Sequence, residues 1–123
     1  MKTIIAAIII MSGSFGSIAH ADTDNGPVSV IAIAKVKPGY EQAFRAAAAK
    51  VLEPTRRESG NISYQFNQST QDTTEFSTEE LWVSQQDVDK HMTLPHMQEF
   101  FHAVGSLFEA GYPIIKTYKK FEK

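Results

Sequence analysis

After residue 27, hydrophobic residues recur either at every second position or at every third to fourth position. The first spacing is typical of strands and the second of helices, so the changes of spacing mark the predicted elements. The segment 28–36 is rich in β-branched residues, and both of its faces are apolar, because Ile31 and Ile33 alternate with valines and alanines. Two later segments alternate apolar and polar residues, as half-buried strands do. In one of them, Ile62, Tyr64 and Phe66 are predicted to share the buried face. The predicted strands are 28–36, 62–67, 75–83 and 114–121.

Helical spacing, with apolar residues at i, i+3 and i+4, follows the first and the third of these strands. It predicts a first helix from about residue 40 to 58, with Gly60 placed to terminate it. Ser84 and Asp87 resemble a capping box that opens a short second helix to about residue 92. Pro95 suits the start of a third helix that runs toward Gly111.

The order strand, helix, strand, strand, helix pair, strand predicts an α+β fold. It matches the ferredoxin-like arrangement βαββααβ, an antiparallel sheet with the helices on one face. Helices can cover only one of the two apolar faces of the segment 28–36, and the other face would be an exposed hydrophobic patch. A second copy packing sheet to sheet would cover it, so we expect a homodimer.

The first residues have the three parts of a cleavable signal peptide. Lys2 supplies a positive charge, an apolar run covers residues 4–11, and Ala19-His20-Ala21 is a small-x-small cleavage site. The apolar run is shorter than the ~20 residues that a membrane-spanning helix needs. We therefore predict a signal peptide at 1–21, cleavage after Ala21, and a periplasmic or secreted protein with no membrane association after cleavage. Residues 22–27 are then a flexible leader, and 28–121 form one domain.

The composition narrows the possible functions. The chain has 12 Lys and Arg against 14 Asp and Glu, too balanced for a nucleic-acid partner that needs a basic face. It has no cysteine, which excludes disulfides, thiolate metal sites and a cysteine nucleophile. Dinucleotide fingerprints, phosphate-binding loops and nucleophile elbows are also missing from the sequence.

Several residues in the second half carry a family resemblance. Glu80-Leu81-Trp82, then His91, then Pro95-His96 and Phe100, resemble the antibiotic biosynthesis monooxygenase family, and in particular its small quinol monooxygenases. The resemblance extends from about residue 28 to 118 and implies a dimeric α+β barrel. It also implies oxidation of quinols or related polyphenols by molecular oxygen with no cofactor, because the substrate itself supplies the electrons.

Such a reaction needs a proton acceptor in an apolar pocket with aromatic walls. His91 and His96 are the candidate bases, since imidazole exchanges protons near neutral pH, and Glu80 is the candidate that orients one of them. The alternative is that both histidines cap helix ends at the Pro95 break and that Glu80 makes a structural hydrogen bond or ion pair. The expected substrate-binding walls are aromatic: Tyr64, Phe76, Trp82 and Phe100.

Other functions remain open at this point. Glu80, His91 and His96 form a two-histidine, one-carboxylate set, but five residues with a proline between the histidines do not place both on one helical face, so we predict no metal. A haem-binding or haem-degrading protein would use His96 or His102 as the axial ligand. A non-catalytic dimer that binds a small aromatic ligand, or a purely structural dimer, would fit the same pattern.

Overall fold

The computed structural model describes residues 26–122. The predicted signal peptide and most of the predicted leader lie outside these residues. A short 3₁₀ turn, Gly105–Leu107, lies between the last helix and the last strand. The helices and strands are β1 (Val28–Lys35), α1 (Glu41–Arg56), β2 (Asn61–Gln68), β3 (Glu75–Trp82), α2 (Gln85–Thr93), α3 (Pro95–Val104) and β4 (Ile114–Lys119).

The four strands form one antiparallel sheet in the order β2-β3-β1-β4. The central strand β1 pairs with both neighbours, so that Val28 lies opposite Trp82 on one side and Lys119 on the other. This order and connectivity confirm the predicted ferredoxin-like βαββααβ fold. Among residues 26–122, no helix is both long and apolar enough to cross a membrane.

The two faces of β1 have different environments, as the double apolar pattern predicts. Val28 and Val30 point into the core and are almost fully buried, whereas Ile31 on the other face is 39% exposed. The register places Ile33 beside Ile114 of β4 on that same outer face. The helices therefore cover one apolar face, and the outer face of the sheet keeps exposed isoleucines.

An aromatic cluster fills the space between the sheet and the helices. Phe44 of α1 is its centre: its ring lies 4.6 Å from Phe76 of β3 and 5.8 Å from Phe100 of α3. Phe66 and Phe108 contact Phe44 edge-on at 6.1 Å each. Edge-to-face and tilted contacts of this kind are the favoured geometries of aromatic rings, and they fix how the helices sit on the sheet.

Two local predictions need correction. Helix α1 ends at Arg56, four residues before Gly60, so Gly60 does not terminate it. Gly60 instead lies against Asp87 at the start of α2, where any side chain would overlap that carboxylate. Ile62 is 52% exposed rather than buried, because a register shift between Asn61 and Ser63 makes it the extra residue of a β-bulge.

The break between α2 and α3 determines where the two histidines lie. Ser84 caps α2, accepting a hydrogen bond from the backbone of Asp87, as the capping box predicts. Leu94 ends α2 in an extended conformation and is also the N-cap of α3, with Pro95 as the first helical residue. One residue thus joins the last turn of α2 to the first turn of α3.

Candidate active site

Two histidines share one carboxylate oxygen at this helix junction. Oε2 of Glu58 lies 2.7 Å from Nδ1 of His91 and 2.8 Å from Nε2 of His96. An ionised carboxylate can only accept hydrogen bonds, so both imidazoles donate an N–H to the same oxygen. His91 is in the last turn of α2 and His96 in the first turn of α3, and the break at Leu94 turns the two rings toward each other.

Glu58 reaches this position from the turn that follows α1. Its backbone N–H donates to the carbonyl of Thr55, and its own carbonyl accepts from the N–H of Asn61. These two bonds hold the turn between α1 and β2 in place. Glu58 is 33 residues before His91 and 38 before His96, so only the tertiary fold brings the three side chains together.

The charge of Glu58 is stabilised by its partners. Its side chain is only 10% exposed, and burial on its own would raise its pKa. The hydrogen bonds and charges of His91 and His96 outweigh that effect and hold the pKa of Glu58 below its usual value. Glu58 is therefore a carboxylate, and it fixes the direction in which both imidazoles present their protons.

His91 is the most enclosed member of this group. Its side chain is 2% exposed, with the ring 4.7 Å from Trp82 and 5.6 Å from Tyr64. Because Nδ1 donates to Glu58, Nε2 is the nitrogen with the free lone pair in the neutral ring. Nε2 makes no hydrogen bond to any residue of 26–122, and His91 lines a cavity.

The cavity lies between the sheet and the helices and has a volume of about 490 Å³, within the range typical of small-molecule sites. Most of its wall is apolar or aromatic, and part of it is the cluster around Phe44. The edge strand β4 contributes four consecutive residues, 115–118. The lining of the cavity therefore extends to this edge of the sheet.

Polar groups gather where the cavity meets His91. Glu80 is buried, and its two carboxylate oxygens accept hydrogen bonds from the hydroxyl of Thr78 at 2.6 Å and from the indole N–H of Trp82 at 2.9 Å. Burial raises the pKa of Glu80 despite these donors and the nearby His91. Burial, reinforced by the charges of Glu80 and Glu58, also raises the pKa of Tyr64, which therefore remains a neutral phenol.

The structure brings most of the predicted site residues to one cavity. Five of the seven line it: Tyr64, Phe76, Glu80, His91 and Phe100. Trp82 packs behind His91, and His96 lies on the solvent side of Glu58 with 19% of its side chain exposed. The carboxylate that contacts both histidines is Glu58, whereas Glu80 is bound to Thr78 and Trp82.

Sequence reasoning missed Glu58 as a site residue. It stands at the end of the predicted first helix, two positions before Gly60, and acidic residues in such positions are common on protein surfaces. Nothing in the local pattern links it to residues more than 30 positions later. The sequence predicts a set of one acid and two histidines, but it assigns Glu80 as the acid because Glu80 lies beside Trp82 in the family-like segment.

The fold and the site together define a small ferredoxin-like α+β protein whose helices and sheet enclose an apolar chamber with a buried histidine. The family profile described as "antibiotic biosynthesis monooxygenase" matches residues 27–103. The chain belongs to this family, as the resemblance around Trp82 and His96 implies.

The chain is also similar to individual proteins. The uncharacterised protein sll1783 of Synechocystis is 33% identical over 93 residues, a match that covers 76% of this chain and 63% of that protein's length. The structure of Rv0793 from Mycobacterium tuberculosis is 28% identical with a TM-score of 0.73, covering 80% of this chain and 98% of that one. The structure of SO0527 from Shewanella oneidensis is 29% identical with a TM-score of 0.71, covering 77% and 91%.

Proposed function

We propose that this protein is a cofactor-independent monooxygenase that oxidises quinols or related polyphenols with molecular oxygen. The observation that carries the proposal is His91: a buried imidazole on the wall of an apolar cavity, with Nδ1 held by Glu58 and Nε2 free of any described partner. This is the arrangement that orients a general base, in which a carboxylate fixes the tautomer and the opposite nitrogen faces the substrate.

The proposed reaction balances without an external electron donor. His91 takes a proton from a quinol hydroxyl, and the electron-rich anion reacts with O₂ at a ring carbon to give a hydroperoxide. His91 returns its proton to the peroxide, and the O–O bond then breaks as the same ring carbon loses its hydrogen as a proton. One oxygen stays on the ring as a carbonyl, and the other leaves as hydroxide, which takes up that proton to form water. The substrate supplies every electron that reduces O₂, and the product is a hydroxylated quinone. An apolar chamber suits this chemistry because it keeps bulk water away from the reactive anion.

The remaining site residues have supporting roles in this proposal. Phe76 and Phe100 are walls against which an aromatic ring can pack. Tyr64 and Glu80 border the polar end of the cavity, where the substrate hydroxyl would lie. His96 does not belong to the described lining of the cavity, so it acts on the substrate only through Glu58.

The decisive experiment is oxygen uptake with a panel of hydroquinones in buffer containing a metal chelator. We compare the wild type with His91→Asn, in which the amide can still donate to Glu58 while the position of Nε2 is lost. Removing a general base costs about 10²–10⁴-fold in turnover. The matched control is His102→Ala, since His102 is exposed on α3 and should leave turnover unchanged. Unchanged turnover in His91→Asn would contradict the assignment of the base.

The competing function is that the protein binds an aromatic ligand without catalysing a reaction. The same panel of hydroquinones tests this function by fluorescence. The chain has a single tryptophan, Trp82, packed against His91. Saturable quenching of its fluorescence by a quinol, with oxygen uptake no faster than autoxidation, would replace the enzymatic proposal by a binding function.

We further propose that the protein acts as a homodimer outside the cytoplasm. The exposed isoleucines on the outer face of the sheet support a second copy packing there, because such an apolar patch is unfavourable in water.

The segment ending in Ala21 supports export with cleavage after that residue. N-terminal sequencing of the protein recovered from the periplasm or the medium tests export, and a retained N-terminus would contradict it.

A further inference from the structure

We propose that Glu58, His91 and His96 form a binding site for a divalent metal ion such as Zn²⁺. The three side chains each present one ligand atom, and all these atoms lie within 4.8 Å of one another. Two imidazoles and one carboxylate suit zinc and iron(II), and hard cations such as Mg²⁺ prefer sites made of oxygen alone. The ion-binding proposal stands on this geometry and does not depend on the proposed reaction.

Small movements of the three side chains would convert the hydrogen-bonded group into a metal site. Zinc binds nitrogen and oxygen ligands at about 2.0–2.2 Å, so an ion between them must separate the two nitrogens from the carboxylate oxygen, now 2.7 and 2.8 Å away. Glu58 lies on a turn and His96 in a first helical turn, and His96 is partly exposed. These two can adjust around the fixed ring of His91, and a solvent molecule can supply the fourth ligand.

The surrounding charge favours a cation at this position. Glu80 is a second buried acid near enough to His91 to interact with it electrostatically. Glu58 and Glu80 thus place two carboxyl groups near His91 in a partly desolvated region. A divalent cation would lower the mutual repulsion of the carboxylates, which water screens weakly there.

Metal binding has a consequence that rests on the proposed function. A metal ion on Nδ1 of His91 displaces the proton from that nitrogen, and in the neutral ring the proton then resides on Nε2. Nε2 would then face the cavity as a donor and could no longer accept the proton of a quinol. The ion would therefore inhibit the enzyme rather than assist it, although its site lies beside the cavity and not in it.

Isothermal titration of the purified, chelator-treated protein with ZnCl₂ tests the site directly. We expect one Zn²⁺ per chain, at least tenfold weaker binding for both Glu58→Gln and His96→Ala, and no measurable binding of Mg²⁺. The matched control is His102→Ala, which removes an exposed histidine from the same helix as His96 and should bind Zn²⁺ like the wild type. No binding to the wild type, or wild-type affinity in both Glu58→Gln and His96→Ala, would overturn the proposal. So would loss of binding in His102→Ala.

The predicted inhibition by Zn²⁺ is tested by measuring the rate of quinol oxidation. If the protein oxidises quinols, stoichiometric Zn²⁺ should reduce the wild-type rate at least tenfold, a chelator should restore it, and His96→Ala should be at least tenfold less sensitive to Zn²⁺. Undiminished turnover with Zn²⁺ bound would overturn the inhibitory role. If the protein has no quinol oxidation at all, the proposed function fails, and the titration still decides whether the metal site exists.

Discussion

The indole Nε1 of Trp82 donates a hydrogen bond of 2.9 Å to Oε1 of Glu80, two residues earlier on the same face of β3. The other carboxylate oxygen accepts from Thr78, two residues earlier again. Three side chains of one strand thus satisfy one another beneath the helices, and the buried acid is held by neighbours from its own strand. Glu80 can therefore keep its position whether or not a ligand occupies the cavity.

Replacing Glu80 by alanine should destabilise the protein more than replacing it by glutamine. Glu80→Ala leaves the buried donors of Trp82 and Thr78 without an acceptor, at about 1–3 kcal/mol for each. Glu80→Gln keeps one acceptor oxygen, and its amide can donate to the Thr78 hydroxyl after that hydroxyl turns. Urea denaturation followed by Trp82 fluorescence measures the free energy of unfolding. Equal values for the two variants would show that these hydrogen bonds contribute little.

Gly60→Ala should destabilise the protein because the new methyl group would overlap the Asp87 side chain. Asp87 is held by hydrogen bonds with Ser84 at the start of α2 and cannot easily move aside. Overpacking of this kind costs about 1–3 kcal/mol. The matched control is Gly26→Ala, where the methyl group would meet no atom within 4 Å.

A double-mutant cycle separates this overlap from other effects at Gly60. Asp87→Gly removes the overlapping atoms, so Gly60→Ala should cost less in that background than in the wild type. The measurement is the free energy of unfolding of the two single variants and the double variant. Strict additivity would mean that the cost of Gly60→Ala arises elsewhere.

The fold could be predicted from the sequence because its signals are local. The double apolar pattern of β1, the capping box at Ser84 and the proline at position 95 each specify a nearby feature, and the structure has all three. The bulge at Ile62 escaped prediction, because a one-residue register shift depends on pairing with β3 and not on the alternation within β2.

The candidate site was only partly predictable, because some of its contacts join residues that are distant in the sequence. The aromatic walls lie on elements with clear periodicity, so Tyr64, Phe76 and Phe100 could be placed on inward faces from the sequence. The Glu58 contact joins a turn after α1 to the junction of α2 and α3, and no spacing rule describes it. Residues five positions apart do not share one face of a single helix, so the sequence does not predict that His91 and His96 meet. They meet because they lie on two different helices.

Asp72 should stabilise the turn between β2 and β3 in a pH-dependent way. One of its oxygens accepts hydrogen bonds from the backbone and hydroxyl of Thr74, and the other pairs with Lys35 at 3.2 Å. The Thr74 hydrogen bonds, followed by Lys35, lower the pKa of Asp72 from the ordinary 3.8. Its contribution is therefore complete above about pH 3.8 and is lost as the pH falls through the lower folded pKa.

Asp72→Asn tests this dependence. The wild type should melt at a higher temperature than Asp72→Asn at pH 7 and pH 5, and the difference should shrink below pH 3.8, where the wild-type carboxylate becomes protonated. Glu99→Gln, at an exposed position of α3, is the control for the loss of one surface charge. Its melting temperature should stay close to that of the wild type at every pH. A difference that persists unchanged at the lowest pH would mean that the charge of Asp72 is not its source.

The outer face of the sheet should carry the interface of the proposed homodimer. Ile31 is the exposed centre of this face, between Glu79 of β3 and Lys116 of β4 in the register of the sheet. Packing against a second copy would bury Ile31 and pair its charged neighbours across the interface. We expect the wild type to sediment as a dimer at micromolar concentration. Ile31→Glu should sediment as a monomer, because a carboxylate at the centre would be desolvated without a partner on dimerisation.

The control for this prediction is Ala49→Glu, which adds the same charge on the exposed side of α1, across the molecule from the sheet. It should remain a dimer, and both variants should keep the wild-type circular dichroism spectrum. Sedimentation equilibrium over a range of concentrations gives the dissociation constant of each protein. A dimer that tolerates Ile31→Glu but is broken by Ala49→Glu would place the interface on the helices. The isoleucines of β1 would then need another explanation, because an apolar patch that no partner covers is unfavourable in water.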